Sequence, residues 1–496
     1  VNHEVNRMTN LKMLAAIVTT TVLLGASASG AELERDYNVK PVPFSKVHVE
    51  DAFWTPRLQT NHDVTIPYAF EKCEETGRIR NFEKAAGLLD GKHEGIYFND
   101  SDVYKIMEGA AYALQVQPEP MLRMYLDKLI TIMKGAQWED GYLYTFYSLP
   151  ERQPEKRWTD VQSKHEQYCV GHMYEAAVAH YEVTGEKLFL DIARANADLI
   201  CKVFNPQNRT DPPGHQEIEI GLCKLYRATG DDKYLDEAKF LLDQRGRLGN
   251  RGPSGNGGLY GKYSQDHKPV TEQTKAVGHS VRAAYLYTGM ADVAALTGNM
   301  DYICAIDTIW KDVVDTKLYI TGGIGAAGGH EGFGGPYELP NMRAYCETCA
   351  SIANIFWNHR MFLMHDDAMY IDVLERTLYN ATLSGIGMEG NLFFYPNPLE
   401  STGQHRRSPW FGCACCPSNV ARFVPSVPGY AYAHKDGDVY VNLFISGTGQ
   451  IETTNNTIQL RQETRYPWDG SVRIDVEPEK SETFGMMIRI PGWARN

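Results

Sequence analysis

Three thiols, Cys413, Cys415 and Cys416, fall within four residues of the segment Phe411-Gly-Cys-Ala-Cys-Cys-Pro417. A second cluster, Cys346-Glu347-Thr348-Cys349, sets a carboxylate between two further thiols. Half of the chain's ten cysteines thus sit in two short patches. Adjacent cysteines bond each other poorly, so a disulfide framework does not account for Cys415-Cys416. Thiolates with a carboxylate form a donor set that zinc accepts, and a cysteine held as a thiolate is also a nucleophile. By residue type alone the cluster could hold structure or do chemistry. One geometric objection stands: on a regular helix Glu347 and Cys349 diverge by roughly 200°. They share a metal only if the segment starts irregularly or caps a helix.

Other motifs carry weaker chemistry. Gly323-Ile-Gly-Ala-Ala-Gly328 matches G-x-G-x-x-G, but a dinucleotide loop opens a helix, and here more glycines follow at 329, 332, 334 and 335. A loop presenting His330 and Glu331 fits better. Cys346-x-x-Cys349 opens a helical segment rather than a βαβ unit, which disfavours a thioredoxin-like redox pair. His165, His215 and His279 each stand where a helix is expected to begin. One such histidine is usually a cap or core residue; three, on separate helices of a ring, would converge on a central cavity and suit sugar hydroxyls. No pair of nearby acids stands out as a two-carboxylate glycosidase dyad.

The elements that must position these residues are mostly helical. Tyr181-Glu-Val-Thr-Gly185, Tyr226-Arg-Ala-Thr-Gly230 and Ala295-Leu-Thr-Gly298 each end a helical run in Thr-Gly, with an aromatic four residues later. Glycine after the last turn allows the left-handed conformation that stops a helix. Helices are expected over 60–78, 103–117, 120–136, 165–184, 187–203, 215–229, 232–245, 275–297, 300–314, 344–364 and 367–383, approaching the six hairpins of an (α/α)6 toroid. Loops 206–214, 246–262 and 321–336 would lie at its rims. After about residue 430 the period changes to two, as in Asp438-Val-Tyr-Val-Asn-Leu-Phe-Ile445. The expected architecture is mainly α: an (α/α)6 catalytic barrel over 32–430, then the start of a C-terminal β-sandwich over 431–496 that reads as truncated.

At 496 residues, 43% hydrophobic and 22% charged, the composition is that of a globular protein. A net charge of −13 leaves no basic stripe for nucleic acid. Arg7 and Lys12, the apolar run Met13 to Leu24 and Ala26-Ser-Ala28 have the order of a signal peptide within residues 1–31. Export to the periplasm or beyond is therefore expected, and no later stretch looks transmembrane. Cys73, Cys169, Cys201, Cys223 and Cys304 are widely spaced in helical patterns and read as buried small hydrophobes.

Taken together, Tyr337-Glu-Leu-Pro-Asn341, Glu347-Thr-Cys-Ala-Ser351 and Trp410-Phe-Gly-Cys-Ala-Cys-Cys-Pro417 resemble the β-L-arabinofuranosidase family of glycoside hydrolases, families 127 and 146. Asp100-Ser-Asp-Val-Tyr-Lys105 and His165-Glu-Gln-Tyr-Cys169 add to the resemblance. It implies an (α/α)6 barrel followed by β-sandwich domains, and a zinc ion held by Glu347, Cys349, Cys415 and Cys416. It further implies Cys415 as nucleophile, Glu331 as acid/base, and His165, His215, His279 and Tyr395 as sugar contacts. The activity implied is retaining, exo-acting removal of β-linked L-arabinofuranose from plant-type glycans or glycopeptide arabinosides. Cys346 departs from the pattern as an extra thiol beside the ligand set. Two other readings remain open: an epimerase or polysaccharide lyase on the same barrel with histidine acid/base chemistry and structural zinc, and a non-catalytic exported glycan-binding protein.

Overall fold

The computed structural model describes residues 35–247 and 260–495. The segment read as a signal peptide, and most of loop 246–262, lie outside the described residues.

Six helices form an inner ring: Asp100–Val116, Glu166–Thr184, Ile218–Thr229, Ser280–Thr297, Thr348–His365 and Cys415–Phe423. Each packs on the next, and the last returns to the first, closing the ring. Inner helices are buried on nearly every face, as expected of helices with neighbours all round. Outside them lie Ile66–Glu75, Pro120–Ala136, Leu188–Val203, Asp232–Gln244, Met300–Thr316 and Ala368–Arg376, each with one buried stripe. The chain alternates between the two layers, which is the (α/α)6 barrel. The Thr-Gly stops behave as expected: Gly185, Gly230 and Gly298 have φ of 72°, 67° and 69°, and each donates its N–H back to the last turn.

The differences from expectation are local. Inner helices expected from 215, 275 and 344 begin instead at Ile218, Ser280 and Thr348, because the residues before them run into the central cavity as caps. The helix expected over 60–78 is interrupted by a π-helical segment, Asn61–Thr65, and stops before Gly77. Helices Arg78–Ala85 and Cys415–Phe423 were not anticipated. Cys73, Cys169 and Cys223 are buried, but Cys201 is half-buried and Cys304 exposed. Those two fall on outer-layer helices, whose outward faces meet solvent.

Strands β1 (Lys40–Pro41), β3 (Tyr432–Lys435), β4 (Asp438–Val441) and β8 (Met486–Ile488) form one sheet, in the order β1-β3-β4-β8. Strands β2 (Val47–Val49), β5 (Gly447–Glu452), β6 (Thr457–Thr464) and β7 (Val472–Pro478) form the other, in the order β2-β5-β6-β7. Alternate residues of β6, Ile458, Leu460 and Gln462, point inward, and the two sheets share an apolar cluster that includes Val47, Tyr432, Val441, Ile451 and Leu460. This is a β-sandwich, and the short N-terminal strands complete it: Val47 pairs with Gly449 and Lys40 with His434. Among the described residues no helix is long and apolar enough to cross a membrane.

Candidate active site

All six inner helices start at the same rim, and each contributes a residue at its start to one cavity: Phe98, His165, His215, His279, Glu347 and Cys415. Six helix N-termini, each with partial positive charge and unsatisfied N–H groups, therefore surround a volume of about 300 Å³. That environment favours anionic donors and thiolates.

Glu347 is the N-cap of helix Thr348–His365, with φ −57° and ψ 139°, and Cys346 before it has φ 40°. The extended cap turns the Glu347 carboxylate to the side on which Cys349 lies in the first helical turn, which answers the 200° objection. Cys415 and Cys416 open the sixth inner helix. The Sγ atoms of Cys349 and Cys416 are 3.4 Å apart, and Glu347 Oε1 is 3.7 Å from Sγ of both Cys415 and Cys416. One donor atom from each of Glu347, Cys349, Cys415 and Cys416 lies within 4.8 Å of all the others, so a single metal ion could be held by all four. Cys346 is outside this group; it is buried beside Tyr319, Ala326 and Ala344.

The electrostatics of the four suit a cation. Burial, then the neighbouring Cys415, pushes the Glu347 carboxyl well above its usual range. Burial and the adjoining thiols push Cys416 up too. Burial also opposes ionisation of Cys349, yet hydrogen bonds from Cys415 and Cys416 bring it down to about 6. Four close donors cannot all ionise without a counter-charge, and Glu347 Oε2 is buried without a hydrogen-bond partner. The protein supplies one fixed cation nearby, the fully buried Lys105, whose ammonium donates to Tyr168 Oη at 2.8 Å. Burial works against its charge, but Cys415, Asp102 and Cys349 outweigh that and raise its pKa. The cysteine loop is clamped from below: Arg78 donates to the Gly412 carbonyl at 2.9 Å and pairs with Asp102 at 2.9 Å.

Tyr395 Oη lies 2.8 Å from Cys415 Sγ. Burial and the Cys415 charge hold the phenol protonated, so its hydroxyl is available to donate to a thiolate at Cys415. Glu331 sits across the cavity with φ 54°, in a loop that is tightly folded rather than loose. Ala327 and Gly332 exchange backbone hydrogen bonds, and Ser280 N–H donates to the Glu331 carbonyl at 3.0 Å. Gly332 is required there, because a Cβ would lie 2.1 Å from the Gly278 carbonyl oxygen. The Glu331 carboxylate accepts from His279 Nε2 at 2.9 Å and from Tyr345 Oη at 2.8 Å. The His279 bond, more than any other influence, depresses its pKa despite partial burial. A Glu331 oxygen also lies within 4.8 Å of a Glu347 oxygen, which brings the acid/base candidate beside the cysteine cluster. His330 turns away, toward the Phe333 carbonyl.

His165 and His215 line the same cavity, 5.7 Å apart by ring centroids, and His279 is 5.8 Å from His215. Every candidate named from the sequence therefore faces one cavity: Cys415, Glu331, Glu347, Cys349, His165, His215, His279 and Tyr395 line it, with Cys416 directly beneath. Sequence reasoning missed Tyr345, Arg282, Lys105 and Phe98, whose ring stacks on His165 at 4.6 Å. Arg282 had a usable signal, being one helical turn beyond His279; Phe98 and Lys105 had none beyond their neighbourhood.

A family model described as the GH127 catalytic domain of β-L-arabinofuranosidase matches residues 46–429, and the GH127 middle domain matches 438–496. The chain belongs to glycoside hydrolase family 127. A non-reducing-end β-L-arabinofuranosidase of Bifidobacterium longum is 38% identical over 451 residues, covering 84% of this chain and 68% of that protein. A solved GH127 β-arabinofuranosidase superposes with a TM-score of 0.87 at 53% identity, over 92% of this chain and 72% of the other. A GH127 β-L-arabinofuranosidase from Geobacillus stearothermophilus T6 gives 0.86 at 40% identity, over 91% and 75%. The chain is thus an enzyme of the glycosidase class, and the cavity just described is its candidate active site.

Proposed function

We propose that this glycoside hydrolase removes single β-linked L-arabinofuranose residues from the non-reducing ends of arabinose-containing glycans, with Cys415 as nucleophile and Glu331 as acid/base. The observation that carries the reading is the meeting of a thiol at a helix N-terminus, a metal-competent donor set and a hydrogen-bonded glutamate around one small cavity. At about 300 Å³ it is at the lower limit for ligand sites, a size suited to one sugar ring.

The residues fit zinc. A tetrahedral ion with Zn–S near 2.3 Å separates its sulfurs by about 3.8 Å, and the S···S and S···O distances here are 3.4 and 3.7 Å. Glu347, Cys349, Cys415 and Cys416 would hold it. When bound, zinc would supply the positive charge that keeps the cluster deprotonated and makes Cys415 both a nucleophile and a competent leaving group.

Cys415 Sγ attacks the anomeric carbon while Glu331 gives its proton to the glycosidic oxygen. The C–O bond breaks, a C–S bond forms and the aglycone departs as an alcohol. Glu331, now a carboxylate held by His279 and Tyr345, takes a proton from water, whose oxygen displaces sulfur from the same carbon. Two displacements retain configuration, with sulfur in the role that a carboxylate fills in most retaining glycosidases. The Tyr395 hydroxyl orients the Cys415 lone pairs throughout.

The test is hydrolysis of p-nitrophenyl β-L-arabinofuranoside by purified protein with its zinc quantified, beside Cys415→Ala. Activity with about one zinc per chain, lost in the variant, is the expected result. Near wild-type turnover by Cys415→Ala would rule the mechanism out.

A further inference from the structure

The three cavity histidines are not equivalent, and their backbone contacts determine how. His165 Nδ1 contacts the Ser163 carbonyl and His215 Nδ1 the Gln216 carbonyl at 2.8 Å. A carbonyl only accepts, so both rings carry their proton on Nδ1 and leave a lone pair on Nε2. His279 is reversed. Its Nδ1 caps the helix by accepting from Val281 N–H at 3.2 Å, so its proton is on Nε2, where it is donated to Glu331.

Arg282 stands behind this arc. Its guanidinium is buried and stacks on Tyr263 at 4.7 Å. It donates to the Gly214 carbonyl, next to His215, and points Nη2 at His165 Nε2 from 3.5 Å. It also reaches Ser264 Oγ at 3.3 Å, in a segment tied to both neighbouring loops. Gln216 donates to the Ser264 carbonyl at 2.9 Å, and Gln265 to the His279 carbonyl at 3.2 Å. Among the described residues no carboxylate comes within ion-pair distance of Arg282, and its Nε has no partner. A buried guanidinium without a carboxylate is expensive.

We propose that Arg282 is a positioning residue that reinforces the polarity set by the backbone carbonyls, holding the Nδ1–H form of His165 and the Gly214 carbonyl before His215, so that the Nε2 lone pair of His215, and what Arg282 leaves of that of His165, face the ligand's hydroxyls. The cation beside them disfavours a second proton on either ring. Burial first, then Arg282, takes His165 down to about 3 and His215 well below its usual range. The cavity then divides its labour: His165 and His215 accept protons from the sugar, while Glu331 and Cys415 handle the scissile bond. This assignment rests on the proposed glycosidase reading for the identity of the ligand, but not for the tautomers.

The test pairs a spectrum with kinetics. In histidine-labelled ¹⁵N enzyme, long-range proton–nitrogen correlation near neutral pH should show His165 and His215 neutral with Nδ1–H, assigned by His165→Gln and His215→Gln. Arg282→Gln should change the pattern of at least one of them. It should raise KM by about tenfold, the worth of one hydrogen bond to a polar ligand, with kcat within about threefold. Arg282→Lys keeps the charge without the two-pronged reach and should recover part of the loss; it also keeps the test decisive if Arg282→Gln does not fold. Protonated Nε2 on His165 or His215 in the wild type, or wild-type KM and spectrum in folded Arg282→Gln, would overturn the proposal. Absence of arabinofuranosidase turnover in folded wild type would instead strike the functional reading, with the imidazole spectrum still deciding the tautomers.

Discussion

Of the clusters that bring metal-ligating atoms within 4.8 Å of one another among the described residues, one lies at the rim of the barrel and another in the heart of the ring. The rim holds Glu347, Cys349, Cys415 and Cys416. The interior holds His172, Glu175 and Glu217, together with Glu108, Lys224 and Arg422. In the interior the charges close among protein groups. Arg422 Nη1 reaches Glu175 at 2.6 Å and Glu108 at 2.8 Å, and Lys224 reaches Glu175 at 2.7 Å. Burial, followed by the Glu175 charge, drives Glu217 well above the usual carboxylate range, so it keeps its proton. At the rim, four thiol and carboxylate donors face the Lys105 ammonium, while the nearby Arg78 is already paired with Asp102. Proximity of ligand types is thus no evidence of a metal by itself; the deficit of positive charge distinguishes the rim from the core.

The sharpest break of the comparison is Cys415→Ala, which removes the proposed nucleophile at the rim. Turnover should fall by about 10⁴-fold or more, as when other enzymes lose their nucleophile, while thermal unfolding shifts far less. In the core the pattern should reverse. Arg422→Met leaves Glu108 and Glu175 to share Lys224 in the interior and should lower stability by about 3–5 kcal/mol, read from denaturant unfolding, with metal content of the folded fraction intact. Metal analysis separates the clusters directly. Glu217→Gln should retain the metal stoichiometry of the wild type and shift stability by no more than about 1 kcal/mol, because the group it replaces is already protonated. Loss of metal from that variant would mean that the interior cluster is the metal site. The smallest effect expected is a displaced pH profile. His279 stabilises the charged form of Glu331 and depresses its pKa, so the acid form needed for the first step is lost as pH rises through that lowered value. In His279→Ala the pKa should rise, and the alkaline limb of kcat/KM should move to higher pH; an unmoved limb would detach Glu331 from that ionisation.

Much of the site was legible because its signals are local. The Cys-x-Cys-Cys run, the cap at Glu347, the glycine-rich loop before Glu331 and a histidine at each of three helix starts are each contained in a window of a few residues. The Thr-Gly stops likewise announced where helices end, and the change to period two announced the strands. What was misread was also local in origin: the stretch Cys415–Phe423 carries Pro417 in its first turn and follows a glycine-containing loop, so it did not look like the sixth wall of a ring.

Residue types and helix punctuation, with the family resemblance, therefore supplied from the sequence alone the candidate groups and roughly the elements that carry them. Tertiary structure decided the rest. Closure of the ring brings Cys415 to Glu347 across 68 positions and Arg422 to Glu108 across 314. Pairing of β2 with β5 spans some four hundred. The hydrogen-bond partners of the three histidines, of Glu331 and of Arg282 follow from those approaches. No local periodicity encodes them, because a side chain's protonation and orientation depend on which dipoles and charges surround it once water has been excluded.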